Sequence, residues 1–350
     1  MRILRVVALI AALIVVLSVA FLVFAWRSEI KEADIPPERA QFDPELIENG
    51  SRLAAVGNCI ACHTVPGERV FAGGLPVPTP FGNIYSTNIT PDPETGIGRW
   101  SEAAFQRAMH EGVDREGNHL YPAFPYDHFT LVTEEDNRAI FAYMMMRQPV
   151  RATAPQNELP FPLNIRLVLA GWKLLFFEES VFQPDAGRSE AWNRGAYLAE
   201  GLGHCGACHT PRNSLGAEDR DQHFAGGEAE GWQAYAIDEA SPAPVPWDRE
   251  SLAFYLRNGW HEHHGVSRGP MAEVTGNLGT LPDADIDAIA TYVASVIGEP
   301  SSERRQKADA LLQEIAANPD AIVPVARTQT QPSVTPPNDG ATIYAGACAS

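Results

Sequence analysis

Asn58-Cys59-Ile60-Ala61-Cys62-His63-Thr64 and, far downstream, His204-Cys205-Gly206-Ala207-Cys208-His209-Thr210 share one spacing, a Cys-x-x-Cys pair followed directly by histidine. Thiols one helical turn apart can each add to one of the two vinyl groups of a haem, and the adjoining imidazole then faces the iron. The rival readings want other residues. Structural zinc takes four ligands, often as two Cys-x-x-Cys knuckles about 15–20 residues apart, whereas these pairs are widely separated and each heads its own segment. A thioredoxin-like redox pair needs no following histidine and sits in an α/β pattern that this sequence does not show. Cys59, Cys62, Cys205 and Cys208 are therefore candidate attachment points for haem c, with His63 and His209 as proximal iron ligands.

Working outward from the two motifs reveals a duplication. Gly50-x-x-Leu53-Ala54 precedes the first and Gly195-x-x-Leu198-Ala199 the second. Downstream, Phe71-Ala72-Gly73-Gly74 is echoed by Phe224-Ala225-Gly226-Gly227, and Trp100, Phe105 and Gly112 by Trp247, Leu252 and Gly259. That spacing predicts a central helix with an apolar face that ends at glycine. Each copy closes on an amphipathic helix, from Glu134 to Arg147 and from Asp283 to Ile297. A third copy begins at Gly340-Ala341-x-x-Tyr344 and reaches Cys348, two residues before the last one given. If the natural protein continues with Cys-His, Cys348 belongs to a third haem site. This accounts for the odd total of five cysteines without a disulfide framework.

The chain carries 44 acidic against 26 basic residues, a formal charge of −18, which repels phosphate backbones and argues against a nucleic-acid partner. From Val6 to Trp26 the sequence is apolar apart from Ser18, about the ~20 residues that cross a bilayer and longer than a typical signal-peptide core. The expected organisation is an anchor or signal at 1–28, a repeat domain at 43–147, a connector at 148–188 and a second repeat domain at 189–298. A helix and Pro-rich linker at 299–338 then lead to the start of a third domain at 339–350. Ile165 to Phe177 in the connector, with Trp172, is apolar but too short to span. Packing across the domain seam is the favoured reading, and a docking or membrane-surface patch the alternative.

The distal iron ligand separates the copies. Met271, in Gly269-Pro270-Met271-Ala272-Glu273, lies where a loop would fold over the second haem, and thioether ligation raises the potential. The same count from Gly112 reaches Phe124. His128 is the favoured replacement at the first iron, with Met109 or the cluster at Met144 to Met146 as alternatives, or an open position. The open position would suit a multihaem peroxidase, the competing reading of function. His261, His263 and His264 are read as solvated or propionate-bonding residues, with no metal assigned to them.

The stretch Thr79-Pro80-Phe81-Gly82-Asn83-Ile84-Tyr85-Ser86-Thr87-Asn88-Ile89-Thr90-Pro91-Asp92, with Thr95 to Gly98, Leu120 to Tyr126, Ala170 to Phe177 and Gly269 to Glu273, resembles the membrane-bound triheme cytochrome c subunits of periplasmic dehydrogenases. The resemblance covers nearly the whole chain. It implies a mainly α fold of tandem class I-like cytochrome c domains behind an N-terminal transmembrane helix, with the body on the periplasmic side of the inner membrane. It also implies an electron-transfer role with no substrate chemistry of its own. Electrons would come from a catalytic subunit of flavin, quinoprotein or molybdenum type and pass to ubiquinone or another respiratory acceptor. Phe124 and His128 depart from the alcohol dehydrogenase pattern and are more similar to the nicotinate dehydrogenase branch.

Overall fold

Helix α1 (Arg2–Ala25) holds no charge after Arg5 in its 24 residues and, Ala25 apart, keeps its side chains outside the protein core; it is long and apolar enough to cross a membrane. The computed structural model describes residues 2–31 and 42–317. Cys348 and the expected third copy lie outside the described residues, as do most of the linker at 299–338. The last turn of α1 is tied to the body: Ala25 is buried and its carbonyl accepts from His119 Nε2 at 2.8 Å. Ser28 O accepts from Arg107 at 2.7 Å and Ile30 N donates to Arg115 O at 2.9 Å.

The first repeat runs through α2 (Pro44–Val56), α3 (Cys59–His63), the hairpin β1 (Pro76–Thr79) and β2 (Gly82–Tyr85), α4 (Glu102–Glu111), α5 (Tyr126–Phe129) and α6 (Glu134–Met145). Local chemistry sets the boundaries. Asp43, Ser101 and Thr133 each accept from the backbone of the turn they cap, and Gly112 ends α4 with φ 60°. The connector contributes α7 (Leu169–Phe176). The second repeat follows as α8 (Glu190–Tyr197), a π turn at Leu198–Leu202, α9 (Gly206–His209), the hairpin β3 (Gly227–Ala229) and β4 (Trp232–Ala234), and α10 (Arg249–Asn258). A short hairpin of β5 (Trp260–His261) and β6 (Gly265–Val266) then leads to α11 (Pro270–Leu278) and α12 (Asp283–Ile297). The architecture is mainly helical, and among the described residues the strands are confined to these small hairpins.

One contact organises both repeats. A Cβ on Gly50 would strike the carbonyl of Ala139, and a Cβ on Gly195 that of Ala288; each would also crowd a tyrosine Cβ, Tyr143 or Tyr292, at 2.9 Å. Only glycine lets the first helix of each copy lie directly on the closing helix, so α2 crosses α6 and α8 crosses α12 in the same way. Behind these crossings Leu53, Phe105, Ile140, Phe141 and Met144 in the first copy, and Leu198, Leu252, Ile286, Ile289 and Val293 in the second, form one continuous core. Both copies and the connector belong to one compact unit, Met1–Ser301. The remaining unit is represented among the described residues by α13 (Ser302–Ala317).

The copies differ by one residue between the glycine and the first cysteine, and the π turn takes up that extra residue. Gly203 N reaches back five residues to Leu198 O at 2.7 Å, and Cys205 N reaches Ala199 O at 3.0 Å. A single inserted residue bulges one turn and leaves the helix on either side in register. The connector packs across the seam, as favoured, through one face. Trp172 and Phe177 meet Tyr126 of the first copy at 6.3 and 5.2 Å, and Trp172 Nε1 donates to Leu215 O of the second at 3.0 Å. Its other face is exposed.

Candidate haem sites

The two cysteine pairs start from residues in left-handed backbone, Asn58 with φ 49° and His204 with φ 35°, which turn the chain sharply from the preceding helix into α3 and α9. The cysteines that follow are unpaired thiols. Burial, with a smaller push from Cys62, drives the Cys59 thiol up to about 12; burial and then Glu200 do the same for Cys205. The chain after each motif folds back by the same hydrogen bonds. Phe71 N donates to Thr64 Oγ1 at 3.0 Å and Phe224 N to Thr210 Oγ1 at 3.1 Å. Gly73 N donates to His63 O at 2.9 Å and Gly226 N to His209 O at 2.7 Å.

These loops bring a carbonyl to each imidazole. His63 Nδ1 donates to Thr87 O at 2.6 Å and His209 Nδ1 to Tyr235 O at 2.7 Å. Burial lowers the pKa of both histidines, opposed by these same bonds. A neutral ring whose Nδ1 is held by a carbonyl presents Nε2 as a ligand, as metal-bound histidines commonly do. The residues present therefore fit a covalently held haem: two thiols one turn apart, an oriented imidazole, and an apolar wall into which Cys59, Ile60 and Cys205 are packed.

Thr87 and Tyr235 were missed in the sequence because any residue can supply a carbonyl. The signal in the first copy was the polar run beside Thr87. Asn88 Nδ2 donates to Val150 O at 2.6 Å, its Oδ1 accepts from Thr90 N and Thr90 Oγ1 at 2.9 and 2.7 Å, and Asp92 Oδ1 accepts from Thr95 N at 2.7 Å. This buried net ties the loop carrying Thr87 to the start of the connector.

Met271 lies in the first turn of α11 rather than in an irregular loop, directly after Gly269 (φ 54°) and Pro270, and is partly buried against the core. A Cβ on Gly269 would run into the indole of Trp232 at 2.6 Å, so the approach to Met271 is fixed by close packing. In the first copy Phe124 packs on Phe129 at 5.2 Å, and Phe129 on His204 at 5.5 Å. Met109, Met144 and Met145 are buried core residues.

His128, the expected distal ligand of the first iron, is engaged by the second copy in this structure. Its Nδ1 is bonded to Glu200 O at 2.7 Å and its Nε2 to Glu218 Oε1 at 2.9 Å, both in the second copy. The π turn explains the first bond, because a bulged helix frees a carbonyl from its usual partner. Burial opposes a charge on His128, but the hydrogen bond and charge of Glu218, with Asp127, outweigh it and push the pKa up to about 9. Both ring nitrogens are therefore engaged by groups of the second copy. Asp127, His128 and Glu218 bring donor atoms within 4.8 Å of one another, and the raised pKa of His128 favours its charged form beside these carboxylates. His261 lies beside His263 and His264 at 5.5 and 4.9 Å, and His264 stacks on the indole of Trp247 at 3.4 Å.

The contacts between copies are reciprocal. Helix α5 of the first packs on the π turn of the second, and α11 of the second packs on α2 of the first, where Asn277 hydrogen-bonds Asn58. Gly57, just before the first motif, faces Leu202, just before the second. The Cys62 thiol is driven up to about 11 by burial and then by Glu230, Glu273 and Cys208, all from the second copy. The two attachment segments thus face each other across the seam.

A cytochrome c family model matches residues 47–147. The diheme cytochrome c-type protein of Cereibacter sphaeroides is 38% identical over 270 residues, 73% of this chain and 89% of that protein. The chain belongs to the c-type cytochromes. The cytochrome is also 50% identical over 278 residues to a subunit of the nicotinate dehydrogenase of Pseudomonas putida, and 37% identical over 330 residues to the fructose dehydrogenase cytochrome subunit of Gluconobacter japonicus. These matches cover 79% and 92% of the cytochrome. It spans only 23% of the first relative's own length and 67% of the second's.

Proposed function

We propose that this cytochrome is an electron-transfer subunit that takes electrons from a dehydrogenase catalytic subunit and passes them to a membrane quinone or another respiratory acceptor. It would hold haem c at Cys59, Cys62 and His63 and at Cys205, Cys208 and His209, with α1 in the inner membrane and the body on its periplasmic side. The observation that carries this reading is the placement of both attachment segments in one unit, where Gly57 faces Leu202 and Asn58 meets Asn277 across the seam. Bound haem supplies one-electron exchange at iron. Thr87 and Tyr235 hold the proximal imidazoles in position, and Met271, partly buried against the core, would be the distal donor for the second site. The relatives named as subunits of nicotinate and fructose dehydrogenases support a catalytic partner of that general kind.

The test combines haem staining with capture from membranes. Replacing Cys59 and Cys62 by serine removes one covalent haem, replacing Cys205 and Cys208 removes another, and the intact chain co-purifies with a flavin, quinoprotein or molybdenum subunit. A chain without covalent haem, or one that reduces peroxide unaided, overturns the proposal.

A further inference from the structure

Helix α7 is apolar on both of its sides, which neither a solvent-facing helix nor its burial explains. Leu169 and Ala170 are buried, and Trp172 packs on Tyr126. Its one cation, Lys173, is 7% exposed and turns inward, donating to Glu111 O and, at 2.7 Å, to Gly112 O. The opposite side carries Leu174 and Leu175 at 67% and 69% exposure and runs into Val168, Ile165 and Phe161 at 39%, 43% and 79%. No charged side chain of α7 faces outward. A soluble face would have turned Lys173 toward water, where its charge is best solvated.

The position of α7 along α1 identifies what covers this side. Gly171 approaches Phe21, whose ring lies 3.7 Å from where a Cβ on Gly171 would stand. Phe21 is four residues inside the end of α1 at Ala25, which places α7 about 6 Å along the axis within the apolar span. Elements that lie in a bilayer surface bury their apolar side about 5–10 Å. Trp26, 68% exposed, stands just beyond the helix end, and Arg27 hydrogen-bonds the carbonyls of Phe24 and Trp26, the residue types that settle at headgroup level. The body is joined to the last turn of α1 through His119 and to the segment just after it through Arg107 and Arg115, which holds α7 at that depth.

We infer that the exposed side of the connector, Phe161 to Leu175, lies in the outer boundary of the same bilayer that α1 crosses, making the membrane contact two-point rather than a single tether. The inference rests on α1 spanning the membrane. Its consequence is a fixed tilt of both attachment segments relative to the lipid surface.

The full-length haem-loaded protein in vesicles of phosphatidylcholine bearing an acyl-chain diazirine tests it, with cross-linked peptides read by mass spectrometry. Label on α1 and also on peptides holding Phe161, Leu174 and Leu175 is the expected result. In Leu174→Glu/Leu175→Glu the connector label is lost and the α1 label stays. Label on α1 alone overturns the inference and leaves the span intact, pointing to a protein partner on this side. Label on neither segment overturns the span itself and the inference with it.

Discussion

A buried imidazole set between two acceptors, as His128 is between Glu200 O and the Glu218 carboxylate, stores its contribution to stability in a proton. Because its pKa rises from the ordinary 6.5 to about 9, the stabilisation is complete below pH 6.5 and is lost as pH climbs through 9. Glu218 has the opposite sign: its pKa is held below the ordinary 4.5, so its share is present above pH 4.5 and is lost on acidification through that lowered value. The urea midpoint should therefore fall between pH 6.5 and 9, and His128→Gln should flatten that fall while leaving the spectrum of the first haem unchanged. A shifted first-haem spectrum would restore His128 as an iron ligand. Met271→Ala should lower the potential of the second haem on the order of 0.1 V, a fraction of the ~0.8 V range that axial ligands command. Spectroelectrochemical titration reads it, and an unchanged second wave means that the sulfur is not the ligand.

The helix crossings behave as one repeated joint. Gly195→Ala drives a Cβ into Ala288 O and should cost about 3 kcal/mol, the upper part of the usual range for overpacking. Thermal melts of the haem-loaded protein would show it, and a melt within error of the parent would mean that α8 can slide. This joint, the central-helix glycines and the Cys-His motifs were legible in the sequence because each is a backbone or bonding constraint that only one residue type satisfies, so it recurs at the same spacing in both copies. Other features leave no such mark. The carbonyls of Thr87 and Tyr235 are independent of side chain, and the π turn shows only as a one-residue mismatch between the copies. The partners of His128 could not be read either, because position along the chain gives no sign that α5 crosses to the other copy. The short hairpins between α3 and α4 and between α9 and α10 escaped for a simpler reason, since strands of three or four residues carry too little alternation to stand out.

Across the molecule, reciprocal packing fixes the two attachment segments against one another inside a single core. An electron placed on one site should disfavour the next on the other by on the order of 1 kcal/mol. Two potentiometric waves should therefore be spaced more widely than in variants carrying one haem, and high salt should leave the extra spacing in place, because interior charges escape screening. Waves that simply add from the single-haem variants would mean that the sites do not sense each other. The inserted residue at Leu198–Leu202 bears on this pairing in another way. Two perfect copies in this reciprocal arrangement would make the same contact twice. Here the two contacts differ: on one side the imidazole of His128 sits on the bulged carbonyl of Glu200, and on the other Asn277 meets Asn58, so the duplicated halves can mate in one order only.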